Sequence, residues 1–112
     1  MPGHGSDFII PRYKMILSYD VPSASYESYY QFVLRELVPA LQEEGLYMVE
    51  VWHTAYGDYP LRMVGFVAED FHTIQELLSS KRWRDLEHHF LSYVRNYSCQ
   101  IVRYRQGFQF VR

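Results

Sequence analysis

Hydrophobic periodicity changes repeatedly along this chain, and the order of these changes constrains the fold more than any single motif. Apolar residues recur at every second position, as in half-buried strands, or at intervals of about 3.6 positions, as in amphipathic helices. The order is strand, helix, strand, strand, helix, strand, and the predicted ranges are Tyr13–Tyr19, Tyr26–Gln42, Leu46–Tyr56, Leu61–Glu69, Phe71–Arg95 and a last strand from about Ser98. This βαββαβ order predicts an α+β fold in which both helices cover one face of a four-stranded antiparallel sheet. The chain has nothing left to cover the other face, so we expect any ligand or partner to lie there.

Length and composition predict one globular domain. A chain of 112 residues has room for one core, and we assign it to residues 12–112, after a Gly- and Pro-containing arm at residues 1–11. Aromatic residues make up 18% of the chain, including eleven Tyr, which suits surfaces that become buried on association. The net charge of −2 and the scattered basic residues argue against a nucleic-acid partner or an anionic membrane surface.

The compartment is predicted to be the cytoplasm. The N-terminal residues lack the apolar run of a signal peptide, and no stretch approaches the roughly 20 apolar residues of a membrane span. Cys99 is the single cysteine, which excludes an internal disulfide and fits a reducing compartment. We expect its thiol to pack in the core.

The first helix carries clear local signals. Ser23 or Ser25 is expected to cap it, Pro39 to distort it, and Gly45 to end it in a left-handed conformation. The predicted apolar stripe is Tyr26, Tyr30, Val33, Leu37 and Leu41.

The second helical region is predicted to consist of two segments. Asp70 is a good N-cap, and the apolar phase is interrupted at Ser79-Ser80-Lys81 before it resumes at Trp83. Between the second and third strands, Tyr56–Pro60 is predicted to be a hairpin loop that contains Gly57.

These elements together resemble the dimeric α/β-barrel superfamily, whose ferredoxin-like domains pair through their open sheet faces. The resemblance covers roughly Tyr13 to Arg105 and is nearest to small NIPSNAP-like and uncharacterised bacterial members. The residues that carry it are Leu37-Val38-Pro39-Ala40-Leu41, Gly45, Val51-Trp52, Tyr56-Gly57-Asp58 and Trp83. The resemblance implies a homodimer and a cavity at the open face. It implies no single activity, because members include cofactor-independent quinone-forming monooxygenases, haem-degrading monooxygenases and small isomerases.

Two functions found in domains with this element order, haem degradation and RNA recognition, do not fit the residues of this chain. Haem-degrading members use an Asn near the first strand, whereas this strand reads Lys14-Met15-Ile16-Leu17-Ser18-Tyr19. An RNA-recognition domain shares the element order, but the aromatic stacking positions of its third strand are missing from Arg62–Ala68.

Glu50 is the sharpest catalytic candidate. If the purer apolar sets face the helices, then Ile16, Ser18, Glu50, Trp52 and Thr54 face the open side, with Met48 in the same phase as Glu50. A carboxyl group among apolar neighbours has a raised pKa, as a general base near neutral pH requires. The alternative is an ion pair with an arginine such as Arg103. The fourth strand offers Gln100, Val102 and Tyr104 on one face and Cys99, Ile101 and Arg103 on the other, and periodicity does not decide which set faces the cavity.

Histidines are weaker candidates. His53, at the end of the second strand, is placed to move protons near a barrel mouth or simply to face solvent. His88 and His89 point about 100° apart on a helix, and His72 with Glu76 lacks a third ligand, so we expect no metal and no cofactor.

Two functions remain open from the sequence. One is a homodimer that binds a small apolar or aromatic metabolite between the open faces, lined by Ser18, Glu50, Trp52, Thr54 and Arg103, with cofactor-independent oxidation or isomerisation as its chemistry. The other is a non-catalytic interaction or stress-response module whose open faces fill each other. In either, the tail from Gly107 to Arg112, with Phe108 and Phe110, is expected to extend the fourth strand or to cross to the partner.

Overall fold

The computed structural model describes residues 10–54 and 61–104. Four strands and four α-helices follow the predicted order: β1 Tyr13–Asp20, α1 Tyr26–Phe32, α2 Val38–Glu43, β2 Tyr47–Thr54, β3 Leu61–Ala68, α3 Phe71–Ser79, α4 Lys81–Leu91 and β4 Arg95–Arg103. The hairpin predicted at Tyr56–Pro60, most of the N-terminal arm and the tail from Gly107 to Arg112 lie outside the described residues.

The four strands form one antiparallel sheet in the order β2-β3-β1-β4. The two central strands, β3 and β1, pair directly with each other. Each helical region connects a central strand to an edge strand, since α1 and α2 lead from β1 to β2, and α3 and α4 lead from β3 to β4. With the helices on one face, this is the ferredoxin-like fold that the resemblance implied, and none of the described helices covers the other sheet face.

The core lies between the sheet and the helices. Met15, Leu17 and Tyr19 of β1 have no exposed surface, and they alternate with partly exposed residues on the open side. The side chains that pack with them from the helices are Phe32, Leu37, Leu41, Ile74, Leu77, Trp83 and Phe90. The predicted face of β1 is confirmed.

The helix before Pro39 is distorted, as its sequence predicts, but the distortion is a π-helical segment at Val33–Leu37 and not a break. Pro39 has no N–H to donate, and the wider turn before it accommodates the missing bond. A π turn takes up about one extra residue, so the apolar stripe shifts phase there. The buried tyrosine of α1 is therefore Tyr29, and the prediction of Tyr26 and Tyr30 in the stripe is wrong, because both are exposed.

The predicted serine cap of this helix is also wrong. Ser23–Ser25 forms a short 3₁₀ turn that leads into α1, and Ser25 makes no side-chain capping bond in the described structure. Gly45 does adopt the left-handed conformation, with φ of 95°.

The break in the second helical region is confirmed. The Asp70 side chain accepts a hydrogen bond of 2.8 Å from the Thr73 amide at the start of α3. Ser80 separates the two helices, and its hydroxyl accepts from the Trp83 amide at 3.1 Å to cap α4. The helix ends at Leu91, so β4 begins three residues earlier than the predicted Ser98.

A β-bulge in β2 changes which residues face the open side. Glu50 pairs with Gly65, but Met48 pairs with Phe66, so the register shifts between them. Phe66 faces the core, so the prediction that Met48 shares the face of Glu50 is wrong, and Tyr47 opposite Val67 takes that side instead.

The position of Cys99 and the character of the helices bear on two further expectations. Cys99 is exposed, contrary to the expectation of a packed thiol, because β4 is an edge strand that the helices barely cover. Among the described residues, no helix has the length and apolar character needed to cross a membrane.

The helix phase predicts a large difference between two leucines in the same π-helical segment. Leu37 is 2% exposed and Leu34 is 48% exposed. We expect Leu37→Ala to lower the free energy of unfolding by about 2–5 kcal/mol, because it removes a core side chain, whereas Leu34→Ala costs little. Urea unfolding of both variants measures the difference, and equal effects would contradict the helix phase.

Candidate functional site

The open sheet face combines apolar residues with the Lys14–Glu50 ion pair. The residues whose register places them on this face include Lys14, Ile16, Ser18 and Asp20 of β1, Leu61, Met63, Gly65 and Val67 of β3, Tyr47, Glu50 and Trp52 of β2, and Ser98, Gln100 and Val102 of β4. On β4, Gln100 and Val102 therefore face the open side, a choice that periodicity alone left open. Trp52 is 60% exposed, a large aromatic surface for a side chain on a sheet face.

Lys14 and Glu50 form an ion pair that spans the width of a strand. Lys14 lies on β1 and Glu50 on β2, with β3 between them. Two strand spacings amount to roughly 9.5 Å, which only long side chains can bridge. The Lys14 ammonium donates to Glu50 Oε1, and the side chains are 18% and 31% exposed.

Gly65 is the reason that this pair can lie flat on the sheet. A Cβ atom at position 65 would stand 3.0 Å from Glu50 Cγ and 3.2 Å from Lys14 Cδ. Both contacts are closer than side chains ordinarily accept, so even an added methyl group would make the two charged side chains shift by a few tenths of an ångström. The missing side chain of Gly65 therefore makes the channel in which the ion pair runs.

Two aromatic residues hold the ends of the pair. The Trp52 indole N–H donates to Glu50 Oε2 at 2.7 Å, so each carboxylate oxygen accepts one hydrogen bond. The Lys14 ammonium lies 5.3 Å from the centre of the Tyr104 ring, within the range of a cation–π interaction. These contacts fix the positions of both charges.

The pKa of Glu50 is lowered, and the expectation of a raised pKa is wrong. The hydrogen bond from Lys14 is the largest cause, followed by the hydrogen bond from Trp52, and together they outweigh desolvation. Both bonds favour the charged form of the carboxyl group. Glu50 is therefore ionised at neutral pH and is a weak base, better suited to holding neighbours than to removing a proton.

A depression of about 250 Å³ lies over this cluster, and its lining residues are Lys14, Ile16, Glu50, Trp52, Met63 and Gly65. Gly65 and the ion pair form its floor, while Ile16, Met63 and Trp52 provide apolar walls. A mainly apolar hollow with a few fixed polar groups is the usual form of a small-molecule site.

The structure brings together some of the predicted site residues and separates others. Glu50 and Trp52 line the depression, and Ser18 lies one row away on the same face, opposite Met63. Thr54 is opposite Leu61 at the end of β2. His53 is opposite Arg62, which is the alternate phase of β2, and is exposed at the sheet edge.

Arg103 is on the other side of the sheet. It is opposite Tyr13, its guanidinium lies 5.8 Å from the centre of that ring, and it lines a separate concavity of about 560 Å³ with Arg12 and Phe71. The prediction of an arginine partner for Glu50 is therefore wrong in its residue, because Lys14 fills that role. Lys14 shares the phase of Ile16 in β1, but its pairing with Glu50 could not be predicted, because the two residues are 36 positions apart in the chain.

The His72–Glu76 pair that the sequence offered as a weak metal site is exposed. His72 Nε2 lies 3.1 Å from Glu76 Oε2 on the outer face of α3. Within residues 10–54 and 61–104, no three His, Cys, Asp or Glu side chains come close enough together to hold an ion.

The hydrogen bonds of Glu50 predict its titration. We expect carbon-detected NMR to give a pKa for this carboxyl group below the ordinary Glu value, and Lys14→Met to move it upward, because the largest stabilising contact of the charged form is lost. Since the folded pKa is lowered, the stability contributed by the pair is present above the unfolded pKa and is lost as the pH falls through the folded one. An unchanged pKa in Lys14→Met would contradict the pairing.

Gly65→Ala provides a second test of the same arrangement. The new methyl group would make both side chains shift and would weaken their hydrogen bond, so the pKa of Glu50 should rise, but by less than in Lys14→Met. The matched control is Val64→Ala, which alters the neighbouring residue on the buried face of β3 and should leave the pKa of Glu50 unchanged.

Comparisons with known proteins are informative only at the level of structure. No protein-family model matches this chain, and no curated protein matches its sequence. Several solved structures share its fold. A NIPSNAP domain protein of uncharacterised function from Burkholderia xenovorans superposes with a TM-score of 0.63 at 8% identity, covering 86% of this chain and 97% of its own.

Two other solved structures add detail. A dimeric ferredoxin-like protein from an uncultured marine organism has a TM-score of 0.61 at 12% identity, covering 88% of this chain and 92% of its own. A conserved protein of unknown function from Bacteroides thetaiotaomicron, described as a possible oxidoreductase, has a TM-score of 0.66 at 7% identity, covering 84% of this chain and 98% of its own. At such identities the likeness shows the fold, which is the ferredoxin-like fold of NIPSNAP-like proteins.

Proposed function

We propose that this protein is a homodimer that binds a small aromatic or apolar molecule between its two open sheet faces. The observation that carries the proposal is the depression of about 250 Å³ on the open face, with a fixed ion pair at its floor and Trp52 at its wall. The dimeric ferredoxin-like protein with the same fold supports the pairing of two copies.

The chemistry of the open face suits association with a second copy. Among the described residues, no helix covers the apolar side chains of Ile16, Met63, Trp52 and Val102 on this face. A contiguous apolar patch of this kind is typical of an interaction site. The Lys14–Glu50 pair adds no net charge to this face, so the pair itself does not repel a second copy.

Glu50 takes a binding role in this proposal. Its lowered pKa argues against the general-base chemistry of an isomerase in the unliganded site. Oxidation without a cofactor needs dioxygen as the oxidant and a bound molecule that can transfer electrons to it, and the possible oxidoreductase with the same fold makes this the reaction class to test once a ligand is known. Binding is thus the first function to establish.

Oligomeric state is the first prediction. We expect sedimentation equilibrium to show a dimer at micromolar concentration and Ile16→Glu to produce monomers, because it adds an unpaired charge to the interface. Leu34→Glu is the matched control, since it makes the same change at an exposed position on the helical surface and should leave the dimer intact. A monomeric wild-type protein would remove the basis of the closed cavity.

Ligand binding is the second prediction. In a thermal-shift screen of aromatic and apolar metabolites, a ligand at about 100 times its dissociation constant should add roughly 2.7 kcal/mol to the stability of the dimer. Trp52→Ala should abolish the shift, whereas Tyr30→Ala, which removes an exposed aromatic ring from the helical surface, should not.

A screen without any stabilising compound, together with an intact dimer, would favour the alternative of a filled interface and a non-catalytic interaction module. The volume over one face is slightly below the roughly 300 Å³ of small ligand pockets, so the closed dimer is the form in which the screen must be carried out.

A further inference from the structure

The side chains that line the depression differ in how many hydrogen-bond donors they have free for a ligand. The indole N–H of Trp52 is used by Glu50, and Ile16, Met63 and Gly65 have no side-chain donors. The Lys14 ammonium carries three N–H bonds, of which one is used by Glu50. Among the side chains that line the depression, Lys14 is therefore the donor with unused capacity.

Glu50 determines which acceptor can approach this donor. Its carboxylate is in contact with the Lys14 ammonium and already neutralises it. An anionic ligand would bring a second negative charge beside Glu50 in a cavity that the dimer closes to water, where like charges repel strongly. A neutral oxygen meets no such repulsion.

We infer that the site selects neutral aromatic molecules with a carbonyl oxygen, which accepts a hydrogen bond from Lys14 while the ring lies against Trp52. This inference rests on the proposed function and specifies the class of molecule that the site takes. Lys14 is then the specificity-determining residue, and Glu50 is the positioning residue that holds the ammonium and rejects carboxylates. The apolar walls of Ile16 and Met63 accept the rest of the ring system.

Three matched probes test the selection in the wild-type protein. They are naphthalenes with an acetyl group, an isopropenyl group or a carboxylate at the same ring position, so the first two have almost the same shape and only the ketone is a strong acceptor. We expect isothermal titration calorimetry to show the ketone binding about tenfold more tightly than the alkene, equivalent to about 1.4 kcal/mol. The carboxylate should bind more weakly than the ketone.

Three variants assign the selection to residues. Lys14→Met keeps the length of the side chain but removes the donor, so the ketone and the alkene should bind equally. Lys14→Arg retains a donor and should keep the preference for the ketone. Glu50→Gln removes the negative charge, and the carboxylate should then bind at least as tightly as the ketone. Circular dichroism confirms that each variant is folded before it is titrated.

The outcomes separate this inference from the proposed function. Equal binding of ketone and alkene to the wild type would overturn the inference while leaving the site itself intact. Tightest binding of the carboxylate to the wild type would overturn the selection for neutral molecules. Failure of all three probes to bind the dimer would count against the proposed function, and the inference would fall with it.

Discussion

The packing of β1 against the helices is the interaction on which the rest of the structure depends. Met15, Leu17 and Tyr19 are completely buried, and β1 is hydrogen-bonded to β3 on one side and to β4 on the other. Because side chains alternate along a strand, burial of this set directs Lys14 and Ile16 to the open face. A slip of one residue would exchange the two sets and bury a lysine, so the core that stabilises the fold also fixes the position of the site.

The Lys14–Glu50 pair places two charges beside the apolar side chains of the open face. A single charge there would oppose closure of the proposed dimer, because it would lose its hydration without gaining a partner. The pair instead arrives with its carboxylate oxygens already accepting from Lys14 and Trp52. Its desolvation still costs free energy, so we regard it as a device for orientation and selectivity and not as a source of stability.

Local signals in the sequence predicted much of the fold. The element order, the face of β1, the Asp70 cap, the break at Ser80 and the left-handed Gly45 all follow from patterns within a few residues. Each of these features depends on nearby backbone groups or on a simple period, which is why a single sequence is sufficient to find them.

Two of the wrong predictions, the helix stripe and the face of Met48, have the same physical origin. The π-helical segment at Val33–Leu37 and the bulge before Glu50 each add one residue to a regular element, and the phase beyond each differs from a uniform period. The predicted stripe therefore included Tyr30, and the predicted open face included Met48. The partner of Glu50 was missed for another reason, since Lys14 and Arg103 are both basic residues of strands and only the sheet register separates them.

Gly65 connects the energetics of the sheet to the chemistry of the site. A glycine within a central strand weakens it by roughly 0.5–1 kcal/mol relative to alanine, and it leaves a gap on the sheet surface. Here that gap is occupied by the crossing side chains of Lys14 and Glu50, and the depression lies directly above them. An alanine would suit the strand better, but its methyl group would narrow the channel and crowd both charged side chains. The local weakness of β3 and the existence of an ordered polar floor are thus consequences of the same missing methyl group.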